Sequence, residues 1–203
     1  MHLLVESLCA LDGQVQALSY HARRMAASSH MLWGRDCSGE LEEALSQIEL
    51  GTGRWKIRVI YSSEIQNVEA ASYTAAAYQK VALLPMQGNQ YAHKFLQRSW
   101  LEKKENQGRF LDCDTVLLHS GGFIKDFTRA NVAFFDGQEW VTPLHPMLKG
   151  TRREALIDAH QLRCKEIRVE DLSDFSLCSP VNAMLPLGEI VMPWPQSLSR
   201  REL

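Results

Sequence analysis

The stretch GGFIKDFTRANVAFFDGQEWVTP (121–143) decides how this chain is read. Its apolar and β-branched residues predict an extended run, Asp136-Gly137 is a tight-turn pair, and QEWVTP supplies a returning strand. The same grammar opens the chain, where LLVESLCAL, Asp12-Gly13 and QVQAL predict a second hairpin. Hairpins of this kind build antiparallel sheet, whereas a doubly wound fold alternates strand and helix regularly.

Helical segments stand between the hairpins. SYHARRMAASSHML predicts a helix with Ser19 as its cap and His21, Arg24 and Ser28 near one face. ELEEALSQIEL, opened at Ser38 or Gly39 and stopped by Gly51 and Gly53, predicts a second helix. FLQRSWLEKKENQ and TRREALIDAHQLRC predict two more. In WKIRVIYSS, Trp55, Ile57, Val59 and Tyr61 alternate onto one side of a strand. IQNVEAASY, QKVALLP, DTVLLH, EIRVEDL and GEIVM are the other extended segments. The mixture is α+β. PMQGNQ reads as a connection, which gives a smaller N-terminal lobe at 1–86, a linker at 87–90 and a larger lobe at 91–203.

Composition narrows the function. The chain has 203 residues, 45% hydrophobic and 23% charged, with a net charge of -2. That balance argues against a nucleic-acid surface, which needs a basic excess. No apolar run approaches the roughly 20 residues that span a bilayer, and Glu6 breaks the opening run too early for a secretory signal. The five cysteines, odd in number and never spaced as CxxC, read as reduced thiols of a cytoplasmic protein without a metal site.

Several polar residues can carry chemistry. Lys94, in QYAHKFLQRSW (90–100), is either an exposed lysine at a helix start or a sheltered amine that condenses with an aldehyde. Asp126 lies in an otherwise apolar strand, as a surface carboxylate beside Lys125 or as the partner of a buried cation. In LKGTRREAL, Gly150, Thr151 and Arg152 at a helix start form an ordinary cap or an anion site. Ser179 to Ala183, with Asn182, is a second loop of that sort, and Arg24 is a phosphate clamp or a solvated helix arginine. Arg58 is a solvent-facing strand arginine or a fork for a substrate carboxylate. Ser120-Gly121-Gly122 lacks the GxSxG pattern of a hydrolase elbow.

HARR, HKFLQR, KDFTRANVAFF, LKGTRR and SPVNAM occur in an order that resembles the class IV aminotransferase family, from about Leu4 to Ile190. The resemblance implies a two-lobe fold type IV scaffold with pyridoxal 5'-phosphate (PLP) between the lobes. It implies an aminotransferase or a 4-amino-4-deoxychorismate-lyase-like enzyme acting on an amino acid or amine. Lys94 then stands at the lysine that joins PLP covalently and removes the substrate α-proton. Asp126 stands where better-known members carry a glutamate facing the pyridine nitrogen. Arg24, Asn131, Gly150, Thr151, Arg152 and Asn182 fall at or near cofactor-binding positions. Arg98 matches an arginine of lyase-like members, and Arg58 a substrate-carboxylate arginine. The chain departs from the family pattern at Cys9, where an arginine is usual, and reads as an N-terminally trimmed member. The resemblance also implies a homodimer. The competing reading is an inactive member that keeps the fold as a binding or regulatory module.

Overall fold

The computed structural model describes residues 2–76, 78–87 and 91–199. The chain forms two compact units, Met1–Ala75 with His93–Gln97, and Ala76–Ala92 with Arg98–Leu203.

In the first unit, β1 (Leu4–Leu11) and β2 (Gln14–Val15) make the opening hairpin. Asp12 and Gly13 both have positive φ, 47° and 81°, the backbone that a two-residue turn between twisted strands requires. β3 (Arg54–Tyr61) pairs with β1 along its length and β4 (Ile65–Ser72) with β3, giving a four-stranded sheet ordered β2-β1-β3-β4. Helix α1 (Leu18–Trp33) and the short α2 (Leu41–Ser46) complete the unit. Leu4, Leu8, Met25, Leu41, Ile57, Val59 and Tyr61 form its buried core, with Trp55 packed against it, so the alternation of β3 is as expected. The expected cap at Ser19 is displaced. The helix starts at Leu18 behind Ala17, whose left-handed backbone (φ 53°) turns the chain out of β2 and offers no side-chain cap.

The second unit holds β5 (Val81–Pro85), α3 (Ser99–Phe110), β6 (Thr115–Ser120), β7 (Phe123–Phe127), β8 (Asn131–Phe135) and β9 (Trp140–Pro143). α4 (Thr151–Asp158), β10 (Arg163–Lys165), β11 (Leu177–Val181) and β12 (Met192–Pro193) follow. They form two sheets, β5-β6-β7 and β10-β9-β8-β11-β12. Val81, Leu117, Phe127, Val132, Phe134, Ile167, Phe175 and Trp194 are among the buried residues of its core.

Four expectations change here. The run from Phe123 to Phe135 is two strands, because the chain leaves one sheet at Phe127 and enters the other at Asn131. EIRVEDL forms no strand: it is irregular at first and runs into a short 3-10 helix, Glu170–Asp174. The stretch SPV, expected as loop, lies in β11; its pairing with β12 ends at Cys178, so Pro180 loses no ladder bond on that side. β5 pairs in parallel with β6 and so counts with the second unit, while His93–Gln97 counts with the first. Residues 88–90 of the expected linker at 87–90 lie outside the described residues.

Candidate active site

In the first unit, Lys94 is not on a helix. The segment 93–97 lies along β1: Val5 N–H donates to Lys94 O at 2.9 Å, Leu96 N–H donates to Leu3 O at 2.8 Å, and Phe95 bridges to Leu4. Phe95 N–H donates back to His93 O at 2.9 Å, which closes a three-residue γ-turn centred on Lys94. Phe95 packs on the core, and Lys94 itself is half-buried. α3 starts only at Ser99, because residues 95 and 96 spend their backbone bonds on this edge.

Next to Val5, Glu6 is fully buried on the core side of β1, in phase with Leu4 and Leu8. Arg24 Nε and Nη2 donate to its two oxygens at 2.9 and 2.5 Å, and His21 Nδ1 lies 2.6 Å from Oε2. Burial raises the Glu6 carboxyl, but the Arg24 guanidinium and the His21 hydrogen bond overcome it and hold it at about 2. Burial also lowers the His21 imidazole; Glu6 opposes this, and the charges of Arg24 and Lys94 add to it. A carboxylate only accepts, so the His21 Nδ1 that faces Glu6 carries a proton. Lys94 therefore lies within electrostatic reach of His21. His93 Nδ1 lies 3.1 Å from Ser28 Oγ on the same helix face.

Arg58 lies apart from these groups. It sits directly opposite Glu69 on β4, and its Nη1 donates to that carboxylate at 2.5 Å, with the side chains 38% and 48% exposed. The strand's alternation puts it on the face away from Ile57 and Val59.

In the second unit, Asp126 near the end of β7 is 1% exposed, so it is the buried carboxylate of the two alternatives. Asn131 Nδ2 donates to its Oδ1 at 2.7 Å and Leu148 N–H to its Oδ2 at 2.9 Å. Burial pushes the carboxyl up to about 7, with these bonds and the more distant Arg153 charge opposing. Asn131 Nδ2 also donates to Leu148 O at 2.8 Å. Gly150 stands at the N-cap of α4 and has no side-chain acceptor for the N–H groups of the first turn. A Cβ at this glycine would meet Asn131 Oδ1 at 2.0 Å, so only glycine fits.

Thr151 is buried at the first position of α4. Arg152 Nη2 donates to Ala183 O at 3.0 Å, which ties the helix start to the 179–183 segment. Its Nε is buried with no partner among the described residues. Asn182 uses its amide locally: Oδ1 accepts from Met184 and Leu185 N–H at 2.8 and 3.0 Å, and Nδ2 donates to Arg129 O. Arg98 occupies the N-cap of α3, and its charge joins that of Arg129, which forks onto Glu105 at 2.7 and 2.5 Å.

Sequence reading passed over three groups. Glu6 and His21 form the buried pair behind Arg24, and the apolar phase of VESLCAL was the available signal for Glu6. Arg153, buried on α4, donates to Pro143 O at 2.9 Å and pairs with Glu154 at 2.6 Å. Nothing in the run TRRE separates it from Arg152.

Residues 3–191 match the Amino-transferase class IV family. The chain is 26% identical to an uncharacterized protein of Haemophilus influenzae over 188 residues, 91% of this chain and 98% of that one. It is 29% identical over 163 residues to a Schizosaccharomyces pombe protein named "Putative aminodeoxychorismate lyase", 72% of this chain and 70% of that one. In structure it is similar to a "putative 4-amino-4-deoxychorismate lyase" from Haemophilus somnus 129pt, with a TM-score of 0.83, 23% identity and 92% and 98% coverage. It is also similar to a "hypothetical aminotransferase" from Mycobacterium tuberculosis in its PLP-bound form, with a TM-score of 0.78, 18% identity and 99% and 82% coverage. The chain belongs to the class IV aminotransferase family, has the fold type IV architecture, and is a PLP-dependent enzyme of the aminotransferase or aminodeoxychorismate-lyase-like kind.

Proposed function

We propose that Lys94 is the catalytic amine, and that the reaction is an aminodeoxychorismate-lyase-like elimination on an amino acid or related amine. The carrying observation is Asp126: a fully buried carboxylate held by neutral donors, in the same unit as a helix start whose N-cap residue supplies no side-chain acceptor. The residues fit PLP on their own chemistry. The unpartnered Arg152 Nε and the α4 N–H groups suit a phosphate, and Asp126 suits a protonated ring nitrogen, whose charge would offset the cost of its burial.

When bound, PLP supplies an electron-accepting ring that makes a substrate α-proton acidic. Lys94 takes that proton on its amine and delivers it to another atom, as a general base and then acid. Arg24 is assigned to the cofactor on the family resemblance, and in this chain Glu6 fixes its guanidinium through two bonds. Asp126 keeps the proton on the ring nitrogen. Gly150, Thr151 and Arg152 hold the phosphate. We assign Asn182 and Asn131 to shaping these contacts, because their amides are engaged by the chain itself. Arg58 is left out, since it lies on the exposed face of its strand, opposite and paired with Glu69. Arg98 and the name of the fission-yeast relative support the lyase side over transamination. Five cysteines outside any disulfide favour a cytoplasmic protein, and exposed Met31 and Phe110 are apolar surface for a homodimer. Among the described residues no helix is long and apolar enough to cross a membrane.

The test is chemical trapping and product assay. Borohydride reduction of the PLP-loaded protein should fix the cofactor to the peptide that holds Lys94, and Lys94→Ala should abolish both the visible absorption and the adduct. Lyase activity should release pyruvate from aminodeoxychorismate with no keto acid added. A strict keto-acid requirement would return the chain to the transaminases.

A further inference from the structure

The side-chain amide of Asn131 touches both parts of the second unit's polar group. Both of its N–H bonds are in use, one on Asp126 Oδ1 at 2.7 Å and one on Leu148 O at 2.8 Å. The loop closes the ring from its own side through Leu148 N–H to Asp126 Oδ2 at 2.9 Å. Two residues later comes Gly150, the N-cap of α4, and there Asn131 Oδ1 occupies the space where a Cβ would stand. The carboxylate, the amide and the helix start are thus joined by hydrogen bonds and direct contact.

We propose that Asn131 is a positioning residue that sets the spacing between the Asp126 carboxylate and the first turn of α4, so that one PLP molecule engages its ring-nitrogen and phosphate contacts together. The inference rests on the reading above, in which those two groups hold the two ends of the cofactor. The physical reason is that two contacts to one rigid ligand reinforce each other only when their spacing matches it. A direct cofactor ligand would need a donor to spare, and both Nδ2 hydrogens are committed within the chain. A residue that served stability alone would not need Gly150 bare against its oxygen.

The experiment compares three probes on the full-length, cofactor-free chain: PLP, pyridoxal (the ring without phosphate) and inorganic phosphate. In Asn131→Ala, PLP affinity should fall by about tenfold or more, while pyridoxal and phosphate each stay within about threefold of wild type. Asn131→Ser, which keeps a smaller polar group at the same place, should give a milder version of the pattern and serves if the alanine variant unfolds. A loss that falls equally on PLP and one fragment would make Asn131 a direct ligand and overturn the proposal. An unchanged PLP affinity with only a lower unfolding temperature would overturn it too. A wild-type chain that bound no PLP, or whose pyridoxal affinity ignored Asp126→Ala, would bring down the underlying reading of the site as well.

Discussion

Replacing Asp126 by asparagine should change how stability depends on pH, in a way no other residue can imitate. Burial raises this carboxyl from 3.8 to about 7 in the folded chain. A group whose folded pKa is raised stabilises the fold below its unfolded pKa, and that contribution is lost as pH rises through the folded value. Linking the two states gives a wild-type advantage on the order of 3 kcal/mol at about pH 5 over about pH 9 from this residue alone. The amide cannot titrate, so the Asp126→Asn variant should lack that slope. It can accept from Leu148 N–H, but its Nδ2 then faces Asn131 Nδ2, a mismatch that costs about 1–3 kcal/mol at every pH. The slope and the offset therefore separate cleanly. Urea unfolding of the cofactor-free protein across that range measures both. Curves for wild type and variant that run parallel would refute the claim that Asp126 is buried with a raised pKa.

Other perturbations have defined outcomes. Glu6→Gln leaves the Arg24 charge in a buried site without its counter-ion and should cost about 3–5 kcal/mol by denaturant unfolding at neutral pH. Since Glu6 is held at about 2 against an ordinary 4.5, its contribution is complete above about 4.5 and disappears as pH falls toward 2, so variant and wild type should converge there. Arg58→Ala should change stability by less than about 1 kcal/mol and leave turnover intact, because its pair with Glu69 is a surface one. Gly108→Ala in α3 places a Cβ 2.5 Å from Val116 Cγ2. Overpacking of about 1–3 kcal/mol should outweigh the gain of about 1 kcal/mol in helix propensity, giving a lower thermal midpoint.

What was legible in the sequence was what local chemistry enforces. Asp12-Gly13 could be read because two consecutive positive φ values demand such residues, and α1 because His21, Arg24 and Ser28 recur at helical spacing. The break at 128–130 was hidden, since apolar residues continue on both sides and only the change of sheet separates β7 from β8. β11 was hidden by Ser179 and Pro180, which read as loop although Ser179 is fully buried. For the site, the residue types at 24, 94, 126, 131 and 150 were visible, but their partners were not. Leu148 and Glu6 enter through backbone bonds and burial phase, which no spacing rule displays. Of the two readings of Lys94, the helix start could not be dismissed from sequence because its backbone bonds run to β1, some ninety residues earlier in the chain.

That edge pairing has a practical corollary for protein engineering. The carbonyl of Lys94 hangs on the amide of Val5, and the next residue along the strand grips Arg24. A deletion that removed the first five residues would release the lysine's tether directly, even though its own neighbourhood stayed untouched.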